Sequence, residues 1–189
     1  KDNGIRAAKM YPRTHHYFFN EDSCGELLDE LEREEILLLL EGGGMYAPDI
    51  FDPFNQVLLA DLDAALTHHP GLRVVLQASR WDAGRYLHTM LSKHPNLHIE
   101  FSNHQANHAM EVYSGWFGAE RILFGTGALD KSPGAAKAFV DYCTLDDDAK
   151  AKIAGGNLAR LLRLESLPPP YRGKKPKDPI LALAKEGKP

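Results

Sequence analysis

The sequence predicts an α/β fold built on a parallel β-sheet. Short, continuous apolar runs alternate along the chain with segments in which apolar residues recur at helical spacing. No hairpin turn signal joins two successive apolar runs. Continuous apolar strands separated by helices are typical of a parallel sheet covered on both faces, so the pattern fits either an open doubly wound sheet or part of a barrel.

In the first half of the chain, turn and capping residues separate three strands from two helices. Pro12 ends the first strand, and Gly42 breaks the second. Ser23 is placed to cap the first helix, and Asp52 with Pro53 to open the second. The predicted elements are a strand at Ile5–Tyr11, a helix at Cys24–Glu35, a strand at Ile36–Leu40, a helix at Pro53–His68 and a strand at Leu72–Gln77.

The second half repeats the same alternation. Pro95 closes one helix, and the pair Ser132 and Pro133 opens another. The predicted elements are a helix at Ala83–Lys93, a strand at Leu97–Phe101, a helix at Asn107–Phe117, a strand at Arg121–Phe124, a helix through about Asp141 and one or two helices within Leu145–Leu164.

Composition excludes several classes of protein. Hydrophobic residues make up 43% of the 189 residues, and the net charge of -4 argues against nucleic acid or an anionic membrane as a partner. The apolar run Ile36–Leu40 is too short to span a membrane. Cys24 and Cys143 are far apart in the sequence, and their spacing matches no disulfide framework or zinc motif. These features predict a cytoplasmic protein.

The C-terminal tail differs from the rest of the chain. Residues 166–189 hold six basic and two acidic residues and begin with the three prolines Pro168–Pro170. We therefore expect a barrel-like domain over residues 1–165 and a stiff, solvated tail over residues 166–189. The tail is either a surface arm or a docking arm for an acidic partner.

Sequence motifs around the last strand resemble a known family. Arg121–Gly127 (RILFGTG), Ser132–Gly134 (SPG) and Ile153–Leu162 (IAGGNLARLL) are similar to the C-terminal end of amidohydrolase-superfamily barrels, the amidohydrolase-2-type metal-dependent hydrolases and decarboxylases. The resemblance covers residues 4–164. Looser similarity extends over Gly4–Pro12, Glu34–Gly43, His69–Ser79 and Pro95–Ser102.

This resemblance implies a TIM-barrel-like fold that comprises the last five βα units of a (β/α)₈ barrel. A closed barrel needs eight strands, and an open remnant exposes unpaired strand edges. We expect the chain to be a fragment, to be completed by another chain or by a homo-oligomer, or to adopt an unusual open fold.

In such barrels the chemistry lies at the carboxyl ends of the strands. Glu41 is the candidate metal ligand or general base, and Asp130 is a second catalytic candidate. Each also has a structural interpretation: Glu41 can pair with Lys9 or Arg80, and Asp130 can be a turn residue. The candidate substrate-binding residues are Lys9, His15, His16, Arg80 and His104.

The family's metal site is altered in this sequence. A divalent metal such as zinc is implied by the resemblance, but Glu41, Ala78 or Ser79, and Gly127 stand where the family places two histidines and an aspartate. Alanine and glycine offer no ligand side chain. His104 and His108 are spaced to share one face of a helix, which suits either a metal role or polar contacts.

Two functions follow. The first is an amidohydrolase-like hydrolase, or a decarboxylase, that acts on a small molecule with a degenerate or incomplete metal site. The second is a catalytically inactive barrel relative that binds a ligand or serves as a subunit.

Overall fold

A computed structural model describes residues 4–42, 59–79, 84–104, 106–128 and 131–164. Five described strands form one parallel sheet, in which their spatial order is their order along the chain. This confirms the predicted α/β class with a parallel sheet. The strands are β1 (Ala7–Met10), β2 (Leu37–Glu41), β3 (Val74–Gln77), β4 (Leu97–Glu100) and β5 (Ile122–Leu123).

Helices follow every strand in the described ranges. One of them, α1 (Pro12–His15), forms a single turn directly after β1, where the sequence predicted no helix. The others are α2 (Glu21–Arg33), α3 (Leu59–His68), α4 (Gly84–Lys93), α5 (Ala109–Phe117), α6 (Pro133–Asp141), α7 (Asp147–Ala151) and α8 (Asn157–Leu161), with α1 at Pro12–His15 and a π-helical turn at Lys152–Gly156 joining α7 to α8.

Alternation along the strands gives the sheet two different faces. Residues aligned between parallel neighbours lie on the same face, and the next residue along each strand lies on the opposite one. One face packs against the helices in a large core, in which Leu40, Leu76 and Ile99 meet helical residues such as Leu28 and Leu87. We call this the helix-covered face.

The opposite face, here called the inner face, is apolar at one end and polar at the other. Leu37, Val75 and Leu123 form a small buried cluster with Leu161 of α8. At the carboxyl ends of the strands the same face carries Lys9, Glu41, Gln77 and Glu100. The apolar cluster therefore closes the amino end of the inner face, and the polar end is left for a site.

Buried polar contacts hold the last helix against the sheet. Asn157, 2% exposed, donates from Nδ2 to the carbonyls of Ala119 and Ile122 at 2.8 and 2.7 Å. Arg73 donates to the carbonyl of Leu161 at 2.8 Å. These bonds satisfy carbonyls at element ends and fix α8 beneath β5.

Two local predictions were wrong. Asn20, not Ser23, caps α2: its Oδ1 accepts a hydrogen bond from the Ser23 amide at 3.0 Å, so the helix begins three residues earlier than predicted. His104 and His108 share no helical face, because α5 begins only after His108, whose backbone is left-handed. The cap of α6 by Ser132 is confirmed.

Some predictions lie outside the described residues. These include the start of the helix Pro53–His68, the first residue of the helix Ala83–Lys93 and the tail 166–189. In the part of the chain that the structure describes, no helix is long and apolar enough to cross a membrane.

Candidate functional site

The five strands contribute to one polar cleft. Lys9, Glu41, Gln77 and Glu100 lie at the carboxyl ends of β1 to β4, and Gly125 lies two residues beyond β5. Together with the loops that follow β3, β4 and β5 they line a cleft of about 310 Å³. This is the end of a parallel sheet at which ligands bind in α/β proteins, so the cleft is the candidate active site.

Glu100 is the most constrained side chain of the cleft. It is 6% exposed, and its Oε1 accepts a hydrogen bond from the Ser102 amide at 2.7 Å. Its Oε2 accepts from the Ser102 hydroxyl at 2.8 Å and from the Ala78 amide at 3.2 Å. Three donors thus compensate for the burial of this carboxylate and tie the end of β3 to the end of β4.

Gly125 leaves the space that this carboxylate occupies. A Cβ at position 125 would lie 1.5 Å from Oε1 of Glu100 and 2.2 Å from its Cδ. Real carbon atoms never approach so closely, so only glycine fits beside Glu100 in this arrangement. The glycine of the RILFGTG motif therefore has a packing role at the floor of the cleft.

Glu41 lies at the opposite side of the cleft, at the end of β2. It is half-buried, and its Oε2 accepts a hydrogen bond from the hydroxyl of Thr14 in α1 at 3.4 Å. Glu41 is aligned with Gln77 across β2 and β3. Its carboxylate is more accessible than that of Glu100, which makes it the better candidate for contact with a bound molecule.

Two lysines bring positive charge to the same cleft. Lys9 is exposed at the end of β1, and its ammonium lies 4.6 Å from the centre of the Tyr11 ring. Lys131 is exposed in the loop before α6, and its amide donates to the Gly127 carbonyl at 3.0 Å. Amide groups of Gln77 and Asn103 add neutral hydrogen-bonding groups. The cleft can therefore bind an anionic group and orient its polar substituents.

The structure places some predicted site residues in the cleft and others elsewhere. Lys9 and Glu41 line it. His15 and His16 are exposed in and just after α1 and are not among the described residues that line the cleft. His104 is 2% exposed and lines a different pocket, between α4 and α5. Arg80 and Asp130 lie outside the described residues.

Sequence reasoning gave Glu100 no specific role, although a signal was present. In the run LHIEF, polar His98 and Glu100 alternate with apolar residues, which is the two-residue period of a strand with different faces. The structure buries both side chains on the inner face, at 5% and 6% exposure. Burial and the neighbouring Arg121 guanidinium lower the pKa of His98 to about 4. Its imidazole is therefore neutral at pH 7 and forms part of the sheet interior below the cleft.

Comparison with known proteins identifies the family. A family model described as amidohydrolase matches residues 1–164. The chain belongs to the amidohydrolase family. No curated protein sequence matches the chain. The family resemblance inferred from the motifs at the last strand is thereby confirmed.

Solved structures of similar proteins show the fold of which the sheet is a part. An uncharacterised TIM-barrel protein from Bordetella bronchiseptica is 25% identical, with a TM-score of 0.68 over 86% of this chain and 58% of that chain. The 5-carboxyvanillate decarboxylase of Sphingomonas paucimobilis is 16% identical, with a TM-score of 0.61 over 84% of this chain and 58% of that chain. The described sheet is thus five strands of a TIM barrel, and the chain spans under two thirds of these relatives.

A third relative contains a metal ion. A dihydroxybenzoic acid decarboxylase from Polaromonas, with bound manganese and the inhibitor 2-nitroresorcinol, is 13% identical and has a TM-score of 0.56 over 80% of this chain and 57% of that chain. Its likeness to this chain is one of fold.

The described residues of this amidohydrolase-family chain do not fit a metal of that kind. The cleft offers two carboxylates and neither imidazole nor thiolate among its described residues. Both oxygens of Glu100 already accept hydrogen bonds, and two ammonium groups face the same space. Within the described ranges no group of three or more histidine, cysteine, aspartate or glutamate side chains is arranged to hold a metal ion.

Proposed function

We propose that the chain forms the substrate-binding part of an amidohydrolase-like enzyme that hydrolyses a small molecule bearing a carboxylate. The observation that carries the proposal is the convergence of Lys9, Lys131 and Glu41 on one cleft at the carboxyl ends of the strands. The two lysines suit the carboxylate at one end of such a substrate, and Glu41 suits the group that is hydrolysed at the other end.

The lysines would hold the substrate's carboxylate. An ammonium group binds an oxyanion as a point charge, and the cleft places one lysine at the β1 end and one at the β5 end. The names of the two similar decarboxylases describe substrates that are carboxylated rings. We extend this substrate class to the present chain as part of the proposal.

Glu41 would act as the general base. Its carboxylate accepts a proton from water as the water oxygen forms a bond to the substrate's carbonyl carbon. The proton then passes from Glu41 to the leaving oxygen or nitrogen as the bond to that atom breaks, which restores the carboxylate and balances the step. The hydroxyl of Thr14, 3.4 Å from Oε2, helps to orient Glu41.

Hydrolysis of hippurate, an amide that carries a carboxylate, tests the proposal. Hippuramide, its matched neutral analogue, tests whether the carboxylate is needed. Release of carbon dioxide from a dihydroxybenzoate tests decarboxylation as the alternative reaction. We expect the carboxylated compound to be preferred and Glu41→Gln to lower kcat by about 10²–10⁴-fold. The control Glu26→Gln changes an exposed carboxylate on α2 and leaves kcat unchanged. Equal turnover by the Glu41 variant contradicts the role of Glu41.

A catalytically inactive, ligand-binding relative is the second candidate. Ala78 and Gly127 line the cleft at two positions where the family resemblance places metal ligands, and this observation favours it. It predicts saturable binding of carboxylates without turnover. Such a result, with binding lost in Lys9→Met, supports this second function and contradicts the first.

We also propose that the sheet is completed by further barrel units, in the remainder of a longer chain, in a second chain or in a homo-oligomer. β1 and β5 are the outer strands of the described sheet, and each has one neighbouring strand there. Light scattering coupled to size-exclusion chromatography measures the assembly. A strictly monomeric 21.0 kDa species contradicts completion by another chain.

A further inference from the structure

A second pocket lies outside the sheet, in the groove between α4 and α5. It has a volume of about 440 Å³, within the range of small-molecule sites. None of its described lining residues belongs to the cleft. The lining includes Arg85, His88, His104, Tyr113 and Trp116.

Aromatic rings form the walls of this pocket. The His88 and Trp116 rings meet edge to face, with centroids 4.8 Å apart. The Tyr113 ring lies 4.9 Å from His104 and 5.9 Å from Trp116. Trp116 is nevertheless 57% exposed, which leaves much of its ring open to solvent beside the pocket. Rings held in this way offer edges and faces to a flat, unsaturated molecule.

Among the described residues, the hydroxyl of Tyr113 is a buried donor without a partner, in a residue that lines this pocket. Tyr113 is 4% exposed, and its hydroxyl has no hydrogen-bond partner among the described residues. A buried hydroxyl without a partner is costly, so such groups are normally bonded to protein, water or ligand. Burial raises the pKa of Tyr113 to about 12, so the group is a protonated donor at pH 7.

Charge at the rim completes the pattern. The exposed Arg85 guanidinium lines the pocket at the start of α4 and supplies a fixed, forked donor for an oxyanion. We propose that this α4–α5 pocket is a second small-molecule site, which binds an aromatic carboxylate with its ring beside Trp116, its carboxylate at Arg85 and an oxygen accepting from the Tyr113 hydroxyl.

Titration with salicylate, an aromatic carboxylate with a second oxygen, tests the proposal. Trp116 fluorescence reports binding once the only other tryptophan is removed by Trp81→Phe. We expect saturable quenching, with affinity about tenfold lower in Tyr113→Phe, which keeps the ring and removes the hydroxyl. The control Tyr142→Phe makes the same change at a tyrosine that is 87% exposed on the surface and leaves the affinity unchanged.

A second pair of variants separates this pocket from the cleft. Arg85→Gln is expected to weaken salicylate about tenfold and to leave the neutral analogue salicyl alcohol unaffected. Lys9→Met, which alters the cleft, leaves salicylate quenching unchanged. If quenching does not saturate up to about 10 mM salicylate, the binding free energy is weaker than about 3 kcal/mol. That result overturns the proposal. So does quenching that responds to Lys9→Met and not to Tyr113→Phe. The first result leaves the hydrolysis proposed for the cleft unaffected, and the second is the result expected if salicylate binds at Lys9 in the cleft instead.

Discussion

The contact between Gly125 and Glu100 makes the floor of the cleft intolerant of a single methyl group. In Gly125→Ala the new Cβ would lie 1.5 Å from Oε1 and 2.8 Å from Cγ of Glu100. The carboxylate has to move, and its three hydrogen bonds from Ser102 and Ala78 hold it in place. Hydrogen bonds to a charged group contribute about 1.5–3 kcal/mol each, so breaking two of them costs about 3–6 kcal/mol.

Urea unfolding followed by circular dichroism measures this cost as a change in the free energy of unfolding. Gly115→Ala is the matched control, because nothing lies within 4 Å of a Cβ at that position in α5. There the greater helix propensity of alanine is expected to stabilise the protein by about 0.5–1 kcal/mol. Opposite signs for the two glycine substitutions are the expected result.

A double-mutant cycle identifies the cause. In a Glu100→Ala background the obstructing carboxylate is gone, so Gly125→Ala is expected to cost less than about 1 kcal/mol there. An equal cost of Gly125→Ala in both backgrounds would contradict a clash with Glu100, because the penalty would then come from the backbone at Gly125.

Three further predictions concern stability. Burial lowers the pKa of His98 to about 4 from an ordinary 6.5. The stability that depends on its neutral form is therefore complete above pH 6.5 and is lost as the pH falls toward 4, by up to about 3 kcal/mol. Urea unfolding at several pH values should show this loss, and His98→Gln should abolish most of it. Asn157→Ala removes both bonds to the buried carbonyls near β5, and calorimetry should show a loss of about 2–4 kcal/mol; a loss below about 1 kcal/mol would contradict the tie between α8 and β5. Asn20→Ala should lower the free energy of unfolding by about 1 kcal/mol because the α2 cap is lost, and Ser23→Ala should lower it by less. A larger loss in Ser23→Ala would indicate that Ser23 is the cap.

Much of the fold was predictable because its signals are local. Continuous apolar runs such as the one at Ile36–Leu40 need both faces buried, which a parallel sheet under helices provides. The structure has five strands at the predicted places, with bounds that differ by at most two residues at either end. Helix starts were harder to predict, since Asn20 and Ser23 are both good caps and only the backbone geometry decides between them.

The site was only partly predictable, because its decisive contacts join residues far apart in sequence. Lys9 and Glu41 follow from the rule that chemistry lies at the carboxyl ends of strands. The role of Glu100 depends on donors 22 residues upstream and two residues downstream and on the missing side chain at Gly125. His104 follows a strand in the same way, yet its ring stacks on Phe101 with centroids 5.0 Å apart and faces the α4–α5 pocket. The hydrophobic periodicity of the sequence does not show that Glu100 lies in the cleft and His104 in the α4–α5 pocket.

Whether the cleft recognises a small carboxylate can be seen in a crystal structure of the protein soaked with isophthalate, a ring with two carboxylates. We expect isophthalate to occupy the cleft, with one carboxylate within about 4 Å of the ammonium group of Lys9 or Lys131. A cleft without isophthalate, or isophthalate in the cleft with neither carboxylate near a lysine, would contradict the claim that this cleft recognises a small carboxylate.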